Sequence, residues 1–395
     1  MESRGARPGE GRTGTGGPTR LFNGSSGVDT SVDTGVDALR ARAAVRDVDQ
    51  YRPPLGERAG LRLDFNENTE SASPRVLRAL RGFDADGLAR YPERAPVERH
   101  VAAFLDRRPE EVLLTNGADE AISLLCRTYL ETGDEALVVV PGFAMYEQQA
   151  RCCGAEVVGV PAGPGFRFPT ERLLARVSSR TRLIAIANPN NPTGALAARD
   201  DLLAVVGSAP RAAVLIDEAY WEFCGRTVAG EIGSLPNLFV ARTFSKAYGL
   251  AGLRIGALLA CEEQLAAVRR VASPYNVNAV ALACLPAALA DEGYLRRYVA
   301  EVRRGRALLL AAFRGHGITC WPSHANFVLA HLGAPARAFV AAMSRRGILV
   351  RDRSDDPFCP GCVRITVGTA RQMRRALAAL EESLREIGRA QGPSS

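Results

Sequence analysis

The stretch AAVLIDEAY, residues 212–220, runs five apolar side chains into a carboxylate, Asp217, with Tyr220 three positions on. Apolar and polar residues do not alternate within it, so it reads as a strand covered on both faces, as in a parallel sheet flanked by helices. Its neighbours repeat the pattern. RLIAIANP (182–189), LFVARTFS (238–245) and RIGALLA (254–260) are similar runs, and EVLLT (111–115), ALVVV (136–140) and EVVGV (156–160) precede them. Helical periods such as GADEAISLLCRTYL (117–130) and FAMYEQQARCC (143–153) separate them. This order predicts an α/β fold with a mostly parallel sheet.

Beyond about residue 280 the text changes. A long helical stretch over 280–313 leads into ITCWPSHANFVLAHL, ILVRDR and CVRITVG, and a last helix follows over 370–387. A smaller α+β domain over 281–395 is therefore expected behind a large domain over 76–280. Residues 38–75 read as an N-terminal arm and lead-in segment. Residues 1–37, rich in Gly, Ser and Thr, bury too little apolar surface to offset ordering entropy and read as a disordered tail.

The 395 residues carry a formal charge of +7, with 47% hydrophobic and 24% charged side chains, the balance of an ordinary globular protein. Arginines alternate with acids and form no basic stripe with interleaved aromatics, which argues against a nucleic-acid partner. No apolar run reaches the ~18 residues of a membrane span, and the N-terminus has no secretory apolar core. A cytoplasmic protein is expected, its nine cysteines reduced. Cys359 and Cys362 form the one C-x-x-C, read as two loop thiols, and no metal site is expected.

Of the 50 basic residues only one, Lys246, is lysine. An arginine stays protonated in any ordinary site, whereas a desolvated ε-amine can be neutral and act as a nucleophile. Ligands of parallel sheets bind at the carboxyl ends of strands. Those ends here carry Asn188, Asp217 with Tyr220, and Thr243, Ser245 and Lys246, while Arg254 opens the next strand. A buried carboxylate needs a cation or proton donor. Two hydroxyls, an arginine and the helix start at Gly117–Glu120 make a phosphate cradle. Amine, acid and cradle together describe a pyridoxal phosphate site.

In family order, LDFNEN (63–68), RYPE (90–93), GADEAI (117–122), NPNNPTG (188–194), DEAYWEF (217–223), TFSKAYGLAGLRIG (243–256), PSHANFVL (322–329) and GCVRITVGT (361–369) occur in the chain. The set resembles the histidinol-phosphate aminotransferase family, from about residue 45 to 386. That resemblance implies a fold-type I aminotransferase exchanging an amino group between L-histidinol phosphate and 2-oxoglutarate. By resemblance, Lys246 would carry pyridoxal 5'-phosphate as a Schiff base and shuttle the proton. Asp217 would face the pyridine nitrogen, and Asn188 and Tyr220 the phenolic oxygen. Ser245, Arg254, Thr243 and the backbone at Ala118 and Asp119 would hold the phosphate. Phe143 would stack on the ring, where the family often has tyrosine. Tyr91 would reach the site of the neighbouring subunit in a homodimer. Arg364, Arg351, Tyr51 and Asn66 would bind the amino donor and the 2-oxo acid. Thr69 and His324 also depart from the family pattern. A paralogue for another amino acid and a related decarboxylase or cyclase remain open alternatives. A cofactor-sensing regulator is disfavoured because no helix-turn-helix precedes the domain.

Overall fold

The computed structural model describes residues 39–46, 48–52 and 59–390; the tail assigned to 1–37 lies outside them. Twelve strands among these residues form two sheets. They are β1 Leu61–Leu63, β2 Val112–Thr115, β3 Glu135–Val140, β4 Glu156–Pro161, β5 Thr181–Ala187, β6 Ala213–Asp217, β7 Leu238–Thr243, β8 Gly256–Leu259, β9 Thr319–Cys320, β10 Phe327–His331, β11 Ile348–Asp352 and β12 Cys362–Thr366. The larger sheet has the order β2-β8-β7-β6-β5-β3-β4. Its β3–β4, β3–β5, β5–β6 and β6–β7 pairs are parallel, and only β8 runs against its neighbours.

The missing alternation in the sequence has a direct cause. Val214 and Ile216 of β6 enter one apolar core while Ala213 and Leu215 enter a second on the opposite face. Ile184 and Ile186 of β5 likewise oppose Leu183 and Ala185, and Val240 of β7 opposes Phe239 and Ala241. Side chains alternate faces along a strand. Here both faces are packed, each buried aliphatic contributing roughly 1.5–3 kcal/mol.

The second sheet, β1-β11-β12-β10-β9, is antiparallel except where β1 pairs parallel with β11. The chain thus returns its N-terminal segment to a sheet built from its last third. Leu63, Phe327 and Val363 share the first core with β5 and β6. The single helical stretch expected over 280–313 is two helices, Ala279–Leu289 and Glu292–Gly315. Asp291 ends the continuity, because its side chain caps the second helix by accepting from Tyr294 N–H at 3.2 Å.

Behind the carboxyl ends of β6 and β7 lies a buried ion pair. Arg242 Nη2 meets Glu218 Oε2 at 2.7 Å, with both side chains at most 4% exposed. Arg242 also donates to Thr227 and lies over the Trp221 ring at 3.9 Å. Glu218 accepts further from Thr227 Oγ1 and Val228 N–H, both at 2.8 Å. The pair ties together the segments that follow Asp217 and precede Lys246. Arg242→Leu strands a buried carboxylate, and urea melts at neutral pH are expected to show a loss of about 3–5 kcal/mol.

Candidate active site

A cavity of about 490 Å³ opens at the carboxyl ends of β5, β6 and β7, bounded on its other side by β11 and β12. Its size suits a cofactor with a small substrate. Asp217 is the last residue of β6, and the backbone after it turns away. Its Oδ1 accepts from Ala219 N–H at 3.0 Å and its Oδ2 from Tyr146 O–H at 2.6 Å. Burial raises the carboxyl to about 6, against the lowering effect of those two donors. Tyr146 is itself buried and pushed well above its usual value by desolvation and by the Asp217 charge.

Lys246 follows β7 and donates from Nζ to Phe65 O at 3.1 Å. Burial, then the neighbouring Arg364 charge, lowers the amine to about 8, Glu67 and Asp119 opposing. Tyr220 O–H accepts from Asn66 Nδ2 at 3.0 Å, and Asn66 sits at φ 56°, held by Thr366 Oγ1 through its N–H. Thus the segment after β1, the end of β6 and β12 meet at one phenol.

The residues expected to cradle an anion meet where the helix Gly117–Tyr129 begins. Arg254 pairs with Asp119 at 3.0 Å, and its backbone is left-handed at φ 53°. Gly117, at φ +76°, lies so close that a Cβ would stand 2.7 Å from Arg254 Nη2. Gly256 is similarly confined, its Cβ direction ending 3.0 Å from Ala118 N. Bare backbone is therefore required where the helix N-terminus, Ser245 and Thr243 converge.

At the opposite end stand arginines. Arg364 is buried, donating to Asn191 Oδ1 at 2.5 Å and to Asp64 O at 2.7 Å. Desolvation lowers it to about 10, Tyr220 opposing and Arg353 and Arg351 reinforcing. Arg351 reaches Tyr51 O–H at 3.5 Å and lies over the Phe65 ring.

Of the residues marked in the sequence, Lys246, Asp217, Tyr220, Ala118, Asp119, Phe143, Thr243, Ser245, Arg254, Arg364, Arg351, Tyr51 and Asn66 all line this cavity. Asn188 does not. Its Oδ1 accepts from Ala197 N–H at 2.8 Å and it borders a separate groove. Tyr91 also lies outside, 77% exposed and stacked on Tyr275 at 4.3 Å. Thr69 and His324 are absent from the lining: Thr69 bonds to Gln372, and His324 N–H to Gly194 O.

Tyr146, Asn191 and Arg353 line the cavity without having been singled out. Tyr146 stands one helical turn beyond Phe143, and Arg353 two strand positions beyond Arg351. Those spacings were the available signals.

A cavity with one desolvated amine, one buried acid and arginines at both ends, at the carboxyl edge of a parallel sheet, suits the chemistry of a transaminase. The chain belongs to the aminotransferase class I and II family, whose model matches residues 59–380. It is 36% identical to histidinol-phosphate aminotransferase 2 of Methylococcus capsulatus, over 86% of this chain and 97% of that one. It is also 36% identical to the histidinol-phosphate aminotransferase of Symbiobacterium thermophilum, over 90% and 99%. The crystal structure of histidinol-phosphate aminotransferase from Sinorhizobium meliloti in complex with pyridoxal-5'-phosphate superposes with a TM-score of 0.82 at 27% identity, covering 89% of this chain and 99% of that one. Aspartate aminotransferase from Thermus thermophilus with maleate gives 0.73 at 25%, covering 82% and 92%. The resemblance read from the motifs and the fold-type I architecture both hold.

Proposed function

We propose that the protein binds pyridoxal 5'-phosphate in this cavity and moves the amino group between L-histidinol phosphate and 2-oxoglutarate, giving imidazole acetol phosphate and L-glutamate in the forward direction. The observation that carries it is the placement of the chain's one lysine, shifted to about 8, in a cavity with Asp217 and Arg364. The donor set fits the cofactor: a primary amine, an acid poised near 6, and a cradle where backbone closes on Gly256 and leaves no room for a Cβ. When bound, the cofactor supplies an aldehyde for amine exchange and a ring that takes up the electron pair released at the substrate α-carbon.

The chain's residues do the rest. Lys246 Nζ would accept the proton from the substrate α-carbon and deliver it two atoms away, at the carbon that the cofactor's aldehyde supplies. Asp217 offers the one buried carboxylate positioned for a protonated ring nitrogen, and Tyr146 and Ala219 fix its plane. Tyr220, steadied by Asn66, presents a hydroxyl to the same cavity. Phe143, in the lining, would cover the ring, with no hydroxyl of its own to add. Arg364 and Arg351, with Tyr51, orient the anionic end of either substrate.

The exposed side chains Leu77, Leu80, Leu88, Tyr91 and Tyr275 support a homodimer in which Tyr91 reaches the partner's site. Among the described residues no helix is long and apolar enough to cross a membrane. A cytoplasmic location belongs to the same reading.

The half-reaction tests the substrate assignment. The loaded enzyme is mixed with histidinol phosphate or glutamate alone, and loss of the aldehyde-form absorbance is followed. Both are expected to convert it, phenylalanine and arginine at least about tenfold more slowly. Conversion by glutamate but not by histidinol phosphate would reject this substrate and leave the transaminase.

A further inference from the structure

Arg351 and Arg364 stand directly opposite each other in the antiparallel ladder of β11 and β12. Arg353 lies just beyond β11 and extends that ladder, its N–H donating to Cys362 O at 3.0 Å. Positions i and i+2 of an extended strand share a face, and all three arginines line the same cavity. Like charges directly opposite one another weaken a sheet, so three together are a local cost that an anion would relieve.

The neutralising groups are few. Asp356 pairs with Arg353. Arg364 is held by the neutral oxygens of Asn191 and Asp64, and among the described residues Arg351 reaches the Tyr51 hydroxyl and the Phe65 ring. The other acids of the cavity are engaged elsewhere, Glu67 with Arg62, Asp119 with Arg254, and Asp217 with Tyr146 and Ala219. Within each guanidinium one buried nitrogen finds no acceptor among the described residues: Arg351 Nη1, Arg353 Nε and Arg364 Nε. Among the described residues three guanidinium groups at this end face one ion-paired carboxylate, an excess of positive charge. A substrate carboxylate brings one negative charge. A phosphate monoester brings about 1.5 to 2, with three strong acceptor oxygens.

We propose that Arg353 is a specificity-determining residue, the third cation that favours a phosphate-monoester dianion over a carboxylate at the Arg351–Arg364 end of the cavity. The assignment rests on the transaminase reading above and names what distinguishes its two substrates. Arg364 and Arg351 serve both, whereas Arg353 matters only when the second negative charge is present. Asp356 holds Arg353 in place and keeps the site from being over-charged when a carboxylate occupies it.

The test uses holoenzyme with Arg353→Gln and Arg353→Lys. Steady-state constants are measured for histidinol phosphate and for glutamate. Dissociation constants for inorganic phosphate and for succinate are measured by calorimetry on the same loaded proteins, where the cofactor already fills the cradle. Arg353→Gln is expected to raise KM for histidinol phosphate and Kd for phosphate by about 10–100-fold, the worth of one charge-assisted hydrogen bond. The kcat should stay within about threefold, and the constants for glutamate and succinate should change less than about threefold. Arg353→Lys keeps the charge and should recover most of the loss. Equal weakening of phosphate and succinate would reduce Arg353 to loop placement and overturn the proposal, as would unchanged phosphate binding. Wild-type enzyme that ignores histidinol phosphate yet binds phosphate through Arg353 would instead sink the substrate reading and leave this one standing.

Discussion

Lys246→Arg is expected to lose turnover by at least about 10⁴-fold while remaining folded, with cofactor no longer fixed to the chain by borohydride. The reason is protonation rather than size. An amine near 8 is neutral in roughly a quarter of molecules at pH 7.5, against about one in a thousand at its ordinary value. A guanidinium in the same place stays charged. Burial, then Arg364, lowers the lysine, so the neutral fraction rises as pH climbs through about 8. Covalent capture of pyridoxal phosphate by stripped wild-type protein should therefore accelerate up to about pH 8 and then level off. Mass spectrometry of the reduced peptide containing residue 246 gives a direct readout. Cofactor mass on that peptide in the arginine variant, or retained turnover, would remove Lys246 from the mechanism.

Much of this site could be read from the chain because strand ends are local features. AAVLID stops at Asp217 and LFVART stops three residues before Lys246, so the topology of a parallel sheet puts both at one edge. The pairings that tune them are long-range and left little trace. Tyr146 reaches Asp217 across 71 positions, Asn66 reaches Tyr220 across 154, and Arg364 meets Asp64 across 300. Tyr146 reads simply as a helix residue, because nothing in FAMYEQQARCC says which strand end its hydroxyl faces. Asn188 shows the converse. It lies just past its strand as expected, yet its Oδ1 is taken up by Ala197 N–H and the residue borders a separate groove. The return of β1 to β11 was equally hidden, since a three-residue strand has no periodicity to detect.

Asp217→Asn is expected to separate function from stability with opposite signs. In the cofactor-free protein the folded carboxyl titrates near 6 rather than at 3.8, because burial outweighs the donors Tyr146 and Ala219. An acid whose folded value is raised stabilises fully below 3.8 and loses that contribution as pH climbs through about 6. At pH 7.5 the stripped wild-type protein thus carries a buried anion at a cost on the order of 2–3 kcal/mol. Asparagine removes the charge and keeps the contacts: its oxygen can accept from Ala219, and its amide can donate to Tyr146, whose hydroxyl both donates and accepts. Stripped Asp217→Asn should therefore melt higher than stripped wild type at pH 7.5, with the gap closing by about pH 4. Loading with cofactor should reverse the order, because only the carboxylate meets a protonated ring nitrogen with charge. Turnover should fall by about 10²–10³-fold, the scale of losing one preorganised electrostatic partner. If the stripped variant melts below stripped wild type at pH 7.5, Asp217 is stabilised by its site rather than strained in it. The carboxylate would then owe its place to the fold and not to the ligand.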